Sequence, residues 1–188
     1  MVLRRLGFVA AQMSAGPGAR RALARVVTAG DLPGGGWSVL DERTWRTGMS
    51  GPATGWGRRA RAEGSVTAWR SFKAAPAKRW CWVQVVPLVS EADALSALDE
   101  VGDRGIRNLR ARVTVVREHD ADIGAFPGAG KVRAHEQHTT GPDGEGAALM
   151  LAAACGRYMI VVSGSGAPEW TWDEMVPVAA RQAALMAT

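Results

Sequence analysis

The segment Arg79–Val86 constrains the fold most, because its side chains alternate between two faces over eight residues. One face would carry Trp80, Trp82, Gln84 and Val86, and the other Cys81, Val83 and Val85. This is the period of a β-strand. Pro87 cannot donate a hydrogen bond to a neighbouring strand, so the strand is predicted to end there.

Weaker alternation predicts further strands over residues 37–45, 65–72, 110–118, 147–155 and 158–163. Residues 131–139 are extended but polar on both faces, which favours the edge of a sheet or a solvated surface. The two-residue link Gly156-Arg157 places glycine first, as a type II′ hairpin turn prefers. Links of this length favour antiparallel pairing of the strands.

Three segments are predicted to be helical. Residues 19–29 combine helix formers with an apolar side. Ser90-Glu91-Ala92-Asp93 resembles a capping box and opens a helix that Gly102 would close. The terminal helix, reaching about residue 187, has an apolar stripe of Trp172, Met175, Ala179, Ala183 and Met186. Residues 48–64, rich in glycine, are predicted to be a long loop.

These elements predict an α+β fold with a single antiparallel β-sheet flanked by helices. The 188 residues suffice for one ordinary domain with a sizeable core. Residues 1–18 are expected to form a flexible N-terminal arm, and residues 19–188 the single α+β domain. No apolar run approaches the ~20 residues that cross a bilayer.

Charge is distributed unevenly along the chain. Residues 1–80 carry 14 Lys and Arg against 4 Asp and Glu, whereas residues 81–188 carry 9 against 14. Nearly all the cations are arginine, which is typical of GC-rich actinobacterial coding and also suits recognition of anions. The N-terminus offers only a poor export signal, so a cytoplasmic location is expected, with export to the cell envelope as the alternative.

Tryptophan and arginine supply the candidate binding residues. Trp80 and Trp82 would lie side by side on one face of their strand, where they either build core or form an apolar groove. A basic segment interleaved with indoles could bind a polyanion or nucleic acid, the latter a weaker alternative. The candidate binding residues are Trp56, Arg58, Arg59, Arg61, Trp69, Trp80 and Trp82.

No assembled catalytic constellation is recognisable, and neither a cofactor nor a metal site is predicted. Gly124–Lys131 imitates a phosphate loop but lacks the required glycine spacing and the hydroxyl after the lysine. His135 and His138 are three residues apart, so on a strand they point to opposite faces. A small hydrolase using His135 or His138 with Glu136, Asp120 or Asp122 is the enzymatic alternative.

Cys81 and Cys155 are the only cysteines. Each lies in an apolar run and neither belongs to a metal-binding pattern. Two buried thiols are the first interpretation. A single disulfide between two strands is the alternative, and it would require an oxidising compartment.

The string Thr28-Ala-Gly-Asp31-Leu32-Pro33-Gly-Gly-Gly36-Trp37 resembles the start of small actinobacterial envelope proteins. With the later order of strands and helices, residues 22–187 are similar to the Mog1/PsbP-like sandwich of mycobacterial LpqN-type lipoproteins. That resemblance implies a non-catalytic binding or accessory protein, with no catalytic residues to carry over. Its partner would be a protein or an apolar or anionic ligand, and the oligomeric state stays open.

Overall fold

The computed structural model describes residues 18–49, 54–75, 77–110, 114–141 and 144–187. Within them, seven strands form one antiparallel sheet in the order β1-β2-β3-β7-β6-β5-β4. The strands are β1 Trp37–Arg46, β2 Val66–Ala74, β3 Lys78–Pro87, β4 Thr114–Ala121, β5 Lys131–Gly141, β6 Gly144–Cys155 and β7 Tyr158–Ala167. The helices are α1 Gly18–Ala24, α2 Gly55–Ala62, α3 Glu91–Arg110 and α4 Trp172–Met186, with a short 3-10 turn at Ala29–Asp31. The predicted α+β class with a single antiparallel sheet is confirmed.

Helices cover both faces of the sheet. Helices α1 and α4 lie on what we call the first face, and α2 and α3 lie on the second face. The alternation predicted for β3 is confirmed, because Cys81, Val83 and Val85 are buried in the core of the first face. Val86 is buried in the core of the second face, and Trp82 packs against it.

The predicted hairpin between β6 and β7 is also present. Gly156 has a φ of +53°, whereas no residue other than glycine has a positive φ within the described ranges. A single positive φ at the first turn position is the requirement of a type II′ turn, and it explains why glycine stands there.

The prediction of a loop over residues 48–64 is wrong, because α2 occupies residues 55–62. The Thr54 hydroxyl accepts a hydrogen bond from the Gly57 amide at 3.1 Å and caps the helix. Both Gly48 and Gly57 allow close packing, because a Cβ on Gly48 would lie 2.2 Å from the Gly57 carbonyl oxygen and a Cβ on Gly57 would lie 2.9 Å from Thr54 Oγ1. The glycines that suggested a loop therefore allow a helix to approach the end of β1.

Two element boundaries and the position of one strand in the sheet also differ from prediction. Helix α3 continues through Gly102 to Arg110, because single glycines weaken a helix without ending it when it packs on a sheet. Strand β4 consequently begins at Thr114, and residues 111–113 of the predicted strand lie outside the described residues. Strand β5 is not at the edge, since it pairs with both β4 and β6.

Helix α1 ends at Ala24, five residues before its predicted end. The chain that follows is held to the first face by side chains from other elements. The Arg70 guanidinium donates to the carbonyl oxygens of Val26 and Val27 at 2.9 and 2.8 Å. The buried Gln182 amide accepts from the Val27 nitrogen and donates to the Arg25 carbonyl. In a longer helix these backbone amide and carbonyl groups would instead form hydrogen bonds within the helix.

A bulge in β1 separates Trp37 from Trp45. The register between β1 and β2 shifts between Val39 and Asp41, so the two indoles lie on opposite faces. Trp37 contacts Trp170 instead, with ring centroids 5.5 Å apart. Between them the buried Arg79 guanidinium lies 4.4 Å from the Trp170 ring and forms two hydrogen bonds to Glu174.

Both cysteines are buried and free. Cys81 is opposite Gly164 on β7, and Cys155 is opposite Tyr158, six residues further along the same strand. At ~3.4 Å per residue they are about 20 Å apart, far beyond the reach of a disulfide. The disulfide alternative is therefore excluded in this fold.

Candidate ligand-binding face

The second face brings three of the predicted tryptophans together. In the antiparallel register, Trp69 is opposite Gln84, and Trp82 and Trp80 follow two and four residues away on the same face of β3. We call Trp69, Trp80 and Trp82 the indole face. The alternation visible in the sequence was sufficient to predict the pair on β3.

The three indoles differ in exposure. Trp80 is 45% exposed. Trp82 is half-buried against the core of that face. Trp69 is half-buried, with the Arg43 guanidinium 5.4 Å from its ring centroid. The exposed Trp80 therefore lies next to Trp82, which is fixed by packing, and Trp69 follows beyond Trp82 on the same face. Together they make a rigid apolar surface.

Helix α3 leaves this part of the second face uncovered. It contacts β5, β6 and β7 and begins directly after β3. Its buried residues Ala94, Ala97 and Leu98 belong to one core with Val86 and Met159, toward the far end of β3 from Trp80. The indole face is therefore an uncovered part of the sheet beside α3.

Trp56 and the arginines at 58, 59 and 61 lie on α2, not on a loop. The Trp56 indole nitrogen donates to Glu100 Oε2 at 3.0 Å, joining α2 to α3, and the Trp56 and Trp82 rings both pack against the core of the second face. Arg58 and Arg61 are exposed. The structure therefore places Trp56 at the border of the indole face as a support.

Arg59 pairs with the Asp93 carboxylate in the first turn of α3. The hydrogen bond from Arg59 holds the pKa of Asp93 below its ordinary value, and the Asp93 amide donates to Ser90. This ion pair links α2 to α3. Arg59 is therefore engaged within the fold.

Sequence reasoning missed the residues of the other strands that lie in register with the indoles, among them the buried Gln137 and His135. Across β7, β6 and β5, Trp80 is followed in register by Ser165, Ala148 and Gln137. The neighbouring row runs from Trp82 through Ser163 and Met150 to His135. No sequence signal could have aligned these residues, because the order of the strands is needed first.

The three histidines do not converge. His135 lies on the second face, with Nδ1 3.0 Å from Asp120 Oδ1, whereas His138 lies on the first face, with Nε2 2.8 Å from Glu136. His119 is opposite Glu136, also on the first face. The prediction that His135 and His138 point to opposite faces is confirmed. In the described part of the chain, no group of three His, Cys, Asp or Glu side chains is arranged to hold a metal ion.

The segment that imitates a phosphate loop lines a cavity of about 190 Å³ with the start of β5. Its lysine points elsewhere, because the Lys131 ammonium binds the Asp99 carboxylate at 2.8 Å. Phe126 is buried in the core of the first face. The segment therefore packs one end of the sheet against α4.

No family model and no curated protein matches the chain. Among solved structures, the chain is similar to the extracellular domain of PknH from Mycobacterium tuberculosis. The TM-score is 0.59 at 12% identity, covering 90% of this chain and 97% of that one. An Rv0999 ortholog from Mycobacterium smegmatis aligns with a TM-score of 0.44 at 9% identity, over 81% and 88% of the two chains. The likeness to the PknH domain shows a shared fold. No helix within the described ranges has both the length and the apolar character needed to span a membrane.

Proposed function

We propose that this protein is a non-catalytic binding or accessory protein that takes its ligand or partner on the indole face. The observation that carries the proposal is the 45% exposure of Trp80 on the part of the second face that α3 leaves uncovered. A large indole left in water costs free energy that a partner could recover by covering it, about 1–3 kcal/mol for a stacked ring.

Neighbouring groups would influence which partner is accepted. Lys73 is opposite Trp80 on β2 and is exposed. This cation extends the apolar surface toward an anionic group on the partner. Binding of nucleic acid through the arginine segment is less well supported, because Arg59 is paired with Asp93.

The resemblance of Thr28–Trp37 to LpqN-type lipoproteins with a Mog1/PsbP-like fold leads us to propose a role at the actinobacterial cell envelope. The similarity in fold to an extracellular mycobacterial domain supports that location. In the structure this motif is a capped turn, in which the Asp31 carboxylate accepts from the amide and hydroxyl of Thr28, both at 2.8 Å.

The test compares three forms of the full chain after incubation with a mycobacterial envelope extract: wild type, Trp80→Ala and Leu40→Ala. Leu40 is 53% exposed on edge strand β1 and serves as the matched apolar control. Native mass spectrometry should show a bound species with the wild type and the control, reduced about tenfold or more in Trp80→Ala. Equal occupancy in all three forms, or no bound species in any, would contradict the proposal.

The Asp120–His135 pair favours a second candidate, a small hydrolase. A carboxylate at 3.0 Å from Nδ1 orients the imidazole as in a general base. Its Nε2 makes no hydrogen bond, and the nearest acidic group is Glu118 at 3.5 Å. Hydrolysis of nitrophenyl esters should then be lost in His135→Ala and kept in His138→Ala, whose side chain is on the opposite face. Absence of hydrolysis by the wild type would remove this candidate.

A further inference from the structure

A second cluster of side chains, remote from the indole face, lies at the turn between β6 and β7. Tyr158, the first residue of β7, is half-buried against the core of the first face. The guanidinium carbon of Arg25 is 5.5 Å from the centroid of its ring, and that of Arg157 is 5.9 Å from it. One tyrosine ring therefore has two guanidinium groups within the distance of a cation–π contact.

Neither of these arginines is paired with a carboxylate in the part of the chain that the structure describes. Arg25 Nη1 donates to the Tyr158 hydroxyl at 2.8 Å, and that hydroxyl is a neutral acceptor. The two guanidinium carbons are at most about 11 Å apart, close to the screening length in salt of about 0.1 M. Both positive charges can therefore act on the same bound anion, which would supply the counter-charge that the fold does not.

The backbone of both arginines is fixed by the fold. The Arg25 carbonyl accepts from the buried Gln182 amide at 2.8 Å. The Arg157 carbonyl accepts from the Leu88 amide at 2.9 Å, which holds the hairpin turn against the chain that follows β3. Groups held in this way lose less conformational freedom when they bind a ligand.

The donors around the Tyr158 hydroxyl indicate the class of ligand. Because the hydroxyl accepts from Arg25, its own proton stays available to a further acceptor. Each guanidinium can form paired hydrogen bonds to adjacent oxygens. Two positive charges and this set of donors match a phosphate monoester, which carries up to two negative charges and three acceptor oxygens. A carboxylate has a single charge and two oxygens.

We infer that Arg25, Arg157 and the Tyr158 hydroxyl form a binding site for a phosphate monoester group, carried by a soluble ester or by a lipid headgroup. Arg157 is exposed, and Arg25 and Tyr158 are half-buried, so the site is open to solvent. The site is independent of the proposed function. It adjoins the core of the first face, and Tyr158 is opposite Pro87, at the end of β3 far from Trp80.

The first arm of the test titrates the isotope-labelled full chain with glycerol 3-phosphate at constant ionic strength, followed by NMR of backbone amide and arginine Nε signals. Arg25→Ala and Arg157→Ala should each raise the Kd about tenfold or more. Tyr158→Phe keeps the ring and loses one hydrogen bond, so a rise of about threefold is expected. The control Lys78→Ala removes one exposed cation at the opposite end of β3 and should bind as the wild type does.

The second arm measures co-sedimentation with phosphatidylcholine vesicles that contain phosphatidic acid, whose headgroup is a phosphate monoester. Binding that depends on Arg157 in either arm supports the site: a response to the soluble ester shows that a free phosphate is accepted, and binding to vesicles alone identifies a lipid headgroup. Arg157 is exposed, so Arg157→Ala should keep the wild-type thermal midpoint, which separates a binding role from a structural one.

Three outcomes would overturn the inference. The first is the absence of saturable binding in both arms. The second is binding that Arg157→Ala leaves unchanged. The third is an equal loss in Arg157→Ala and Lys78→Ala, because that result would reduce the effect to the net charge of the chain. The proposed function is unaffected by any of them, since its own test depends on Trp80.

Discussion

The ion pair between Arg79 and Glu174 gives a stability prediction that can be worked from the structure. Arg79 is buried between Trp37 and Trp170, and both of its Nη atoms bond Glu174, at 3.0 and 2.7 Å. Glu174 also accepts from the Thr171 amide at the start of α4. Substituting Glu174→Gln would leave a buried guanidinium without its counter-charge.

Removing one partner of a fully buried pair costs about 3–5 kcal/mol. The Glu174 side chain is 29% exposed, so water offsets part of that loss and we expect about 2–3 kcal/mol. For a chain of this size the thermal midpoint should fall by about 5–10 °C. Calorimetry and urea unfolding measure both quantities. The double variant Arg79→Met with Glu174→Gln should recover part of the loss, because no unpaired charge remains.

The same pair predicts a dependence on pH. The hydrogen bond from Arg79 holds the pKa of Glu174 below its ordinary value. The stabilisation is therefore complete above the ordinary carboxyl pKa and is lost as pH falls through the lowered one. The difference in unfolding free energy between wild type and Glu174→Gln should shrink on acidification. A midpoint for Glu174→Gln within about 1 °C of the wild type at neutral pH would refute the reasoning.

Three further predictions follow from packing and burial. Gly164→Ala should cost about 1–3 kcal/mol in urea unfolding, because its Cβ would lie 2.6 Å from the Trp170 ring; unchanged stability would show that the ring can move. Gln182→Leu should lower the free energy of unfolding by about 1–3 kcal/mol, since it leaves the Val27 amide and the Arg25 carbonyl without their hydrogen-bond partner. Faster hydrogen exchange at the Val27 amide of the variant would confirm this cause. Burial raises the pKa of the Cys81 thiol to about 12, so it should react with a disulfide reagent at pH 8 only after unfolding; rapid labelling of the native chain would contradict this.

Local sequence patterns were sufficient to predict an element wherever the periodicity of its side chains or one turn residue determines the structure. The alternation of β3, the glycine of the β6–β7 turn and the apolar stripe of α4 all correspond to what is observed. Each depends on neighbours within a few residues. The open antiparallel sheet with helices on its faces followed from their order.

The errors arose where tertiary contacts outweigh local propensity. Helix α2 exists because Gly57 can approach Gly48, a contact that no local pattern reports. The bulge in β1, which no local pattern reports, places Trp37 and Trp45 on opposite faces. For the binding face, the pair on β3 could be predicted, but the position of Trp69 beyond Trp82 depends on the register between β2 and β3.

The pairing of β3 with β7 also has a consequence for how the chain folds. The sheet consists of two meanders, β1–β3 and β4–β7, each built from neighbours in sequence, and β3–β7 is the one ladder within the described sheet that joins them. Pro87 meets Tyr158 across that ladder, so a loop of about 70 residues must close, at an entropic cost of about 4 kcal/mol. Pairing of the two meanders is therefore the step expected to limit the folding rate. Substitutions at the β3–β7 ladder should change the folding rate more than substitutions elsewhere in either meander.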